Sequence, residues 1–529
     1  MSLDVREDGV VFRDGRPLQP NDVAAALLRR ASPFQEQTLY IVASPLSGRG
    51  IHELQQHLDP RSALVLVELD RDVAQATRAI HAGRSHALPV YFDRSSALAA
   101  MRHQIERRGI RRVRQLSASR AAAGQAAAYR ELTDTATDIV RRHWSNRATE
   151  LILGRRWLRN LIRNLALPCR QPEQLSTQLS ARPMILVGAG PSLELALDGI
   201  VRQRRLCTIV AIDTALPRLA AAGVQPDLIV SMDAQLANAR DFNPWRWDSC
   251  SVLYDMTVHT SVPRRFAPGR RFAFVSRFRD LALFDDRELF AQTAVLPPLG
   301  SVAPAALYAI ARFVKPATIL TVGIDFWYRA PVTHARGTAP VQQTDRARDR
   351  LQARDGNDAV LGRPMVRVAL RDGSGVGDGD AILAEQALHM RETVQSAALG
   401  GCRVFHLTSP GLDLGTIGCA SVADYIAGAP QAAVVGQQDE APTGTEHVAA
   451  QQRRAALADL GARVDAQIHA LADNSAAFDA GLDFALLTLP QWPALTLQQA
   501  WWFLHRGTVQ RSLLDYRNAI DRALAGRSA

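Results

Sequence analysis

The sequence predicts an α/β chain made of two Rossmann-like, doubly wound domains followed by a C-terminal helical domain. Three observations predict it. The β-branched apolar runs Thr38–Ala43 and Met184–Val187 each lead into a Gly-containing turn and then a helical pattern. From Met184 onward, further apolar runs alternate with helical patterns, as in a largely parallel sheet. Beyond His447, Leu457, Leu460, Val464, Ile468 and Leu471 recur at three- and four-residue steps.

In chain order, an N-terminal Rossmann-like domain is expected over residues 1–120. Its strand Thr38–Ala43 is followed by Ser44-Pro-Leu-Ser-Gly-Arg-Gly50, a helical pattern, and a second strand, Ala63–Val67, ending in Glu68 and Asp70. With the glycine motif reduced to Gly48-x-Gly50, the loop reads as a chain turn, and a working nucleotide site is the alternative. Residues 121–182 read as a helical bridge and linker, basic around Arg141–Arg163, with Arg170–Pro183 polar. The amphipathic stretch ending at Leu165 suits packing between domains better than a membrane surface. The central α/β domain is expected over 183–428, with strands at Met184–Val187, Thr208–Ile212, Leu228–Met232, Ser251–Tyr254, Phe272–Val275, Thr318–Val322 and Arg403–Leu407. The polar insertion His334–Asp380 reads as a mobile loop beside a site. A linker over 429–447 precedes the helical domain, 448–529, where Trp492, Trp501 and Trp502 are expected to anchor packing.

Composition narrows the function classes. The chain has 529 residues, 47% apolar, 22% charged and 6% aromatic, with a mean hydropathy of -0.08. Collagen-like, disordered and membrane-spanning chains are thereby set aside. The formal charge is +10, yet all 62 basic residues but Lys315 are arginine, a bias of coding composition more than a phosphate-binding surface. The clusters at Arg107–Arg112, Arg202–Arg205 and Arg264–Arg271 read as solvated faces and helix ends; a field for an anionic nucleotide or acidic sugar is the alternative. No helix-turn-helix, zinc-finger or RNA-recognition signature accompanies the charge, so no nucleic-acid partner is expected. Five scattered cysteines without CxxC argue against a disulfide framework or structural zinc and for a reducing compartment. Without a signal pattern or a long apolar run, a cytoplasmic protein with no transmembrane segment is expected.

The chemistry is expected in the central domain. Met184–Val187 runs into Gly188-Ala-Gly190-Pro-Ser192, where glycines and a helix N-terminus could present N–H groups to a nucleotide phosphate; a plain tight turn is the alternative. The next strand ends in Asp213, placed to hold a ribose hydroxyl, and a later one ends at Asp233. Asp233 suits a magnesium ion or a general base, with a structural cap as the alternative; Asp227, after Pro226, reads as a turn residue. Gly300-Ser301 is a second helix start able to face an anion. Asp325, Tyr328, His334 and Arg336 then supply a carboxylate, an aromatic platform, an imidazole and a guanidinium within a short span. For His334 alone, a hydrogen-bonded structural role stands beside catalysis.

Together, Gly188-Ala-Gly-Pro-Ser-Leu193, Asp213 through Asp227 to Asp233, Gly300-Ser-Val-Ala303, and Gly323-x-Asp325 with Thr333-His-Ala-x-Gly337 resemble the motility accessory factor family. That family is associated with flagellin glycosyl transfer and shares its central domain with archaeal 6-hydroxymethylpterin diphosphokinases. Residues 149–164, with Arg156-Trp-Leu-Arg-Asn160, resemble its bacterial members. The resemblance implies a sialyltransferase-like central domain that transfers a nonulosonic acid, of pseudaminic or legionaminic type, from a CMP donor to Ser or Thr of flagellin. It departs from the family pattern at Ser44–Gly48 and at Thr408–Gly415. Under this reading Gly188–Ser192 and Gly300-Ser301 would hold the phosphate, Arg336 the sugar carboxylate, and His334 or Asp233 would be the base. Asp325 joins them as a catalytic candidate. A magnesium-dependent diphosphokinase using ATP or GTP and a non-catalytic flagellin- or nucleotide-binding protein are the competing readings.

Overall fold

The structure, a computed structural model, describes residues 3–6, 9–82, 88–117, 119–179, 182–243, 246, 249–277, 286–291, 293–328, 332–338, 340–342, 365–430, 444–472 and 499–526. Contacts gather the chain into two compact units, Met1–Gly154 with Leu486–Arg506, and Arg155–Ala485 with Gly507–Ala529. The unit border at Gly154 falls within the expected bridge, and most of the expected helical tail groups with the second unit. Among the described residues, no helix is long and apolar enough to cross a membrane.

The first unit opens with an antiparallel three-stranded sheet, β1 (Leu3–Val5), β2 (Val11–Arg13) and β3 (Arg16–Pro17). These strands are too short and polar to show an apolar alternation, and no expectation covered them. There follow α1 (Val23–Ala31), β4 (Thr38–Ala43), α2 (Ile51–Gln56), β5 (Ala63–Val67), α3 (Arg71–Ala82), β6 (Val90–Tyr91), α4 (Arg94–Arg108), β7 (Arg112–Leu116) and α5 (Ala121–Gly124). Strands β6-β5-β4-β7 form a parallel sheet, and every residue of β4 and β5 is buried, as in a sheet covered on both faces. Local chemistry sets the helix ends. Asp93 accepts from the Ser96 N–H at 2.8 Å before α4, and Gly109 ends that helix at φ +64°.

The 40-residue helix α6 (Ala126–Leu165) begins in this unit. Its Tyr129 hydroxyl accepts from the N–H groups of Ser44 (3.2 Å) and Leu69 (3.0 Å) and donates to Val67 O (3.1 Å). It thereby closes the carboxyl ends of β4 and β5, where a doubly wound domain would admit a ligand.

Beneath Tyr129, Ser44 Oγ donates to the buried Glu68 carboxyl at 2.7 Å. Burial outweighs that bond and pushes the carboxyl from 4.5 up to about 7. A carboxyl raised on folding holds its proton more tightly in the folded state. Its stabilising share is therefore full below pH 4.5 and is lost as pH rises through about 7. Across that window the wild type should lose about 3 kcal/mol relative to Glu68→Gln in urea unfolding. Parallel pH profiles for the two proteins would sink this assignment.

The second unit contains α7 (Leu175–Leu179), β8 (Met184–Val187), α8 (Leu193–Gln203), β9 (Thr208–Ile212), α9 (Leu216–Ala221), β10 (Leu228–Ser231), α10 (Leu236–Ala239), β11 (Ser251–Asp255), β12 (Arg271–Ser276), β13 (Ala294–Leu296), α11 (Val302–Ala309) and β14 (Thr318–Val322). Then come β15 (Val366–Ala369), β16 (Val376–Gly379), α12 (Ala381–Leu399), β17 (Arg403–Leu407), β18 (Ile417–Cys419), α13 (Val422–Gly428), α14 (Gly444–Ala472) and α15 (Gln499–Leu524), of which residues 499–506 group with the first unit. Nine parallel strands run in the order β13-β12-β11-β10-β9-β8-β14-β17-β18. Strand order reverses between β8 and β14, so the switch point lies at their carboxyl ends. Lys315, exposed and at φ +54°, donates its N–H to Ile310 O and ends the helical segment before β14.

Two expectations about connections are corrected. Arg170–Pro183 is not a plain linker: Arg170 is buried and bridges to Phe272, while Leu175 and Leu179 enter the core beside Met184. The glycine-rich segment before Asp380 is not loop throughout. β15 and β16 pair antiparallel around it, and Asp380 caps α12 by accepting from the Leu383 N–H at 2.8 Å. Residues 339 and 343–364 of that insertion lie outside the described residues.

In the helical part, Leu457, Leu460, Val464, Leu513, Tyr516 and Ile520 are buried as their spacing suggests, whereas Leu514 is exposed. Trp492 and the side chains of Trp501 and Trp502 lie outside the described residues. Arg453 of α14, 0% exposed, donates to Leu165 O (2.8 Å), Leu167 O (2.9 Å) and Ala291 O. A cation thus caps the carboxyl end of α6 and supplies donors to its last carbonyls.

Candidate functional site

At the switch point the glycine turn after β8 meets the chain leaving β14. The N–H groups of Gly188 and Gly190 donate to Val322 O (2.7 Å) and Gly323 O (2.8 Å). The Ser192 N–H and Oγ donate to Asp325 Oδ2 (2.8 Å) and Oδ1 (2.5 Å), and Ser192 Oγ accepts from the Gly323 N–H (3.0 Å). A Cβ on Gly188 would stand 2.4 Å from Gly323 O, and one on Gly190 2.5 Å from Asp325 Oδ2. The glycines are required by this close approach. Asp325, 3% exposed, has its pKa raised by burial against the opposing pull of Ser192 and Arg371. The four candidates Gly188, Gly190, Ser192 and Asp325 therefore come together with one another as partners.

His334 and Arg336 stand beside this turn. The Ala335 N–H donates to Ala189 O at 2.9 Å, and the Arg336 N–H donates to Glu194 Oε1 at 2.9 Å. Glu194 is itself held bidentately by Arg218, at 3.0 and 2.8 Å. The His334 ring contacts Thr333 Oγ1 through Nδ1 at 2.9 Å, and burial lowers its pKa from 6.5. A neutral imidazole whose Nδ1–H donates to Thr333 Oγ1 keeps an Nε2 lone pair for a proton.

The acids along the rim form a second group. Asp213, buried after β9, accepts from Ser231 Oγ at 2.7 Å and from the Thr214 N–H at 2.9 Å. Burial and, more weakly, Asp233 push its carboxyl up to about 6. Asp233, just beyond β10, accepts from the Gln235 N–H at 2.8 Å; burial raises its pKa, and nearby Arg156 opposes this. Asp241, which sequence reasoning passed over, joins them and rises to about 7 through burial and the charges of Asp213 and Asp233. Among the described residues, no group of three or more His, Cys, Asp or Glu is arranged to hold a metal ion. Asp227 lies at the other end of the sheet, accepting from the Ile209 N–H (2.8 Å) and from Arg204 (3.1 Å), in keeping with a turn residue.

Three candidates lie elsewhere. Tyr328 is 1% exposed and bridges Asp378 in β16, so it packs inside the hairpin contact and offers no open aromatic face. Gly300 and Ser301 open α11 near His389, whose Nδ1 would lie 2.9 Å from a Cβ on Gly300. Among the described residues, no hydrogen bond joins Ser301 to the glycine turn.

Several residues that shape the rim carried little sequence signal. Asn160 of α6 donates to Ala234 O (3.1 Å) and Thr257 O (3.0 Å), and Asn164 donates to Met256 O and Val258 O (3.0 Å each). They pin α6 over the loops after β10 and β11. Arg371, beyond β15, threads its guanidinium among Leu407 O, Ser409 O and Leu412 O and covers Gly411, fixing the turn after β17. The spacing Asn160, Asn164 was the available clue, since residues four apart share a helix face.

Fold and rim together define a doubly wound α/β protein with its candidate groups at the carboxyl edge of a parallel sheet. Residues 155–330 match the family model described as 6-hydroxymethylpterin diphosphokinase MptE-like. The structure of MAf glycosyltransferase from Magnetospirillum magneticum AMB-1 shares the fold at a TM-score of 0.53 and 15% identity, covering 99% of this chain and 88% of that one. Both findings agree with the family resemblance of the motifs. Two proteins of Treponema pallidum (strain Nichols), each described as uncharacterized, are also similar. One is 25% identical over 325 residues, 60% of this chain and 56% of that protein. The other is 35% identical over 105 residues, 20% of this chain and 49% of that protein. The chain spans about half the length of these curated relatives.

Proposed function

We propose that the chain is a glycosyltransferase that moves a nonulosonic acid of pseudaminic or legionaminic type from a CMP donor to Ser or Thr of flagellin. One observation carries the reading. The likeness to a glycosyltransferase fold runs along 99% of the chain, not only through the part that matches the MptE-like model. A pterin diphosphokinase reaction needs only that central part. The rim also supplies the groups this transfer requires: a neutral imidazole for the acceptor hydroxyl and cations for an acidic donor. In this reading His334 takes the hydroxyl proton, and Asp213 and Asp233 face the ribose or sugar hydroxyls.

Intact mass of flagellin from cells lacking this chain tests the proposal. The mass should fall by whole sugar units and return on complementation; an unchanged mass sinks the function. The match over residues 155–330 favours a second reading, a diphosphokinase using ATP or GTP with magnesium. Calorimetry separates the two. CMP binding without metal supports the transferase, and magnesium-dependent purine triphosphate binding supports the kinase.

A further inference from the structure

The glycine turn is poorly placed to receive a phosphate. Three of its N–H groups, on Gly188, Gly190 and Ser192, are committed to protein oxygens, and the Asp325 carboxylate occupies the Ser192 end. Among the described residues, arginines that make no ion pair lie elsewhere on the same rim, one of them, Arg156, near Asp233. Arg156, Arg159 and Arg163 follow steps of three and four on α6. At about 100° per residue they and Asn160 and Asn164 share one arc of about 140°. The asparagine side of that arc is bonded to the loops after β10 and β11, which sets the arginine side at the edge of the same loops.

Arg264, following β11, donates to Thr260 O at 2.6 Å and makes no ion pair among the described residues. The Arg163 Nε is buried without a hydrogen-bond partner. Burial lowers the pKa of Arg163, and the charges of Arg159, Arg522 and Arg264 lower it further. His259 is lowered by burial and then by Arg163, Arg156, Arg159 and Arg264, so its ring sits among the same cations. Its Nδ1 accepts from the Ser261 N–H at 3.3 Å, which leaves Nε2 as a donor in the neutral ring. Gathering like charges beside a half-buried guanidinium destabilises the free chain and favours a bound anion.

We propose that the arginine face Arg156, Arg159, Arg163 and Arg264, with His259, holds the phosphate of the protein's nucleotide ligand in place of the glycine turn. The identity of that ligand as CMP rests on the function proposed above; the phosphate site itself does not. β10 and β11 are two and three strands from β8, so the face lies roughly 10–14 Å from Gly190 at about 4.8 Å per strand. In glycosyl transfer from a CMP donor the bond from sugar C2 to the phosphate oxygen breaks, and its electron pair stays on that oxygen. The sugar forms its new bond to the acceptor oxygen, whose proton passes to the base. The phosphate thereby goes from one negative charge to two, and a cluster of guanidiniums stabilises that gain.

Calorimetry on the full chain with CMP, cytidine and inorganic pyrophosphate tests the site. Arg159→Gln with Arg163→Gln should weaken CMP and pyrophosphate roughly 30-fold or more and leave cytidine unchanged. Arg159→Gln alone, at an exposed position, should weaken both about 5-fold and guards against misfolding of the double variant. Arg202→Gln, which removes the same charge at the end of α8, should do nothing. Wild-type affinity in the arginine variants, equal loss in Arg202→Gln, or a wild-type chain that binds neither CMP nor pyrophosphate overturns the proposal. Pyrophosphate binding that depends on Arg159 and Arg163 but is not displaced by CMP upholds the phosphate site and removes the CMP donor.

Discussion

His334→Ala is expected to lower glycosyl transfer by two to four orders of magnitude, about what a positioned general base contributes. The expectation rests on place and protonation together. The backbone bond from Ala335 to Ala189 sets His334 against the glycine turn, and burial keeps the imidazole below its ordinary 6.5. A base with a lowered pKa is ready at neutral pH, so the acid limb of kcat/KM should fall below pH 6.5 and disappear in the variant. Donor affinity should change little, which separates lost proton transfer from lost binding. His334→Ala with full kcat would place the base elsewhere, with Asp233 next to be tested.

The largest stability effect is expected at Arg453. Arg453→Ala removes three hydrogen bonds, strands the carbonyls of Leu165, Leu167 and Ala291 in the interior, and opens a cavity the size of the side chain. Stranded acceptors and lost packing together should destabilise the second unit by about 4 kcal/mol. Arg453→Met restores volume but no donors and should recover only part of this. Urea unfolding followed by hydrogen exchange in β8 and β14 reports on this unit alone. A loss under 1 kcal/mol in Arg453→Ala would mean that water satisfies the carbonyls.

The sheet was legible where both faces are covered, because a buried parallel strand must be apolar at every position. β4, β5, β8, β9 and β14 begin and end where the apolar runs do. β6, β13 and β18 were not legible, since two or three residues make no pattern, and β15 and β16 carry charged and glycine residues at a mostly exposed hairpin. The site was legible in part for a related reason. Sequence marks a position that tolerates only glycine but not what presses against it. At Gly188 and Gly190 that partner is the chain around Gly323 and Asp325, over 130 residues away. Asp241, His259 and Arg163 carry no local motif, and only the fold gathers them on one rim.

The arginine bias leaves a practical asymmetry in the molecule. Lys315 is the one lysine side chain, and it stands exposed at the start of β14 while Gly323 and Asp325 lie past the other end. Five residues at about 3.3 Å each put roughly 17 Å of buried strand between them. Apart from the α-amino group, amine-selective chemistry therefore addresses a single side chain, behind the sheet edge where ligands are expected. A fluorophore or tether coupled there would report on the second unit, or immobilise it, with the rim left open.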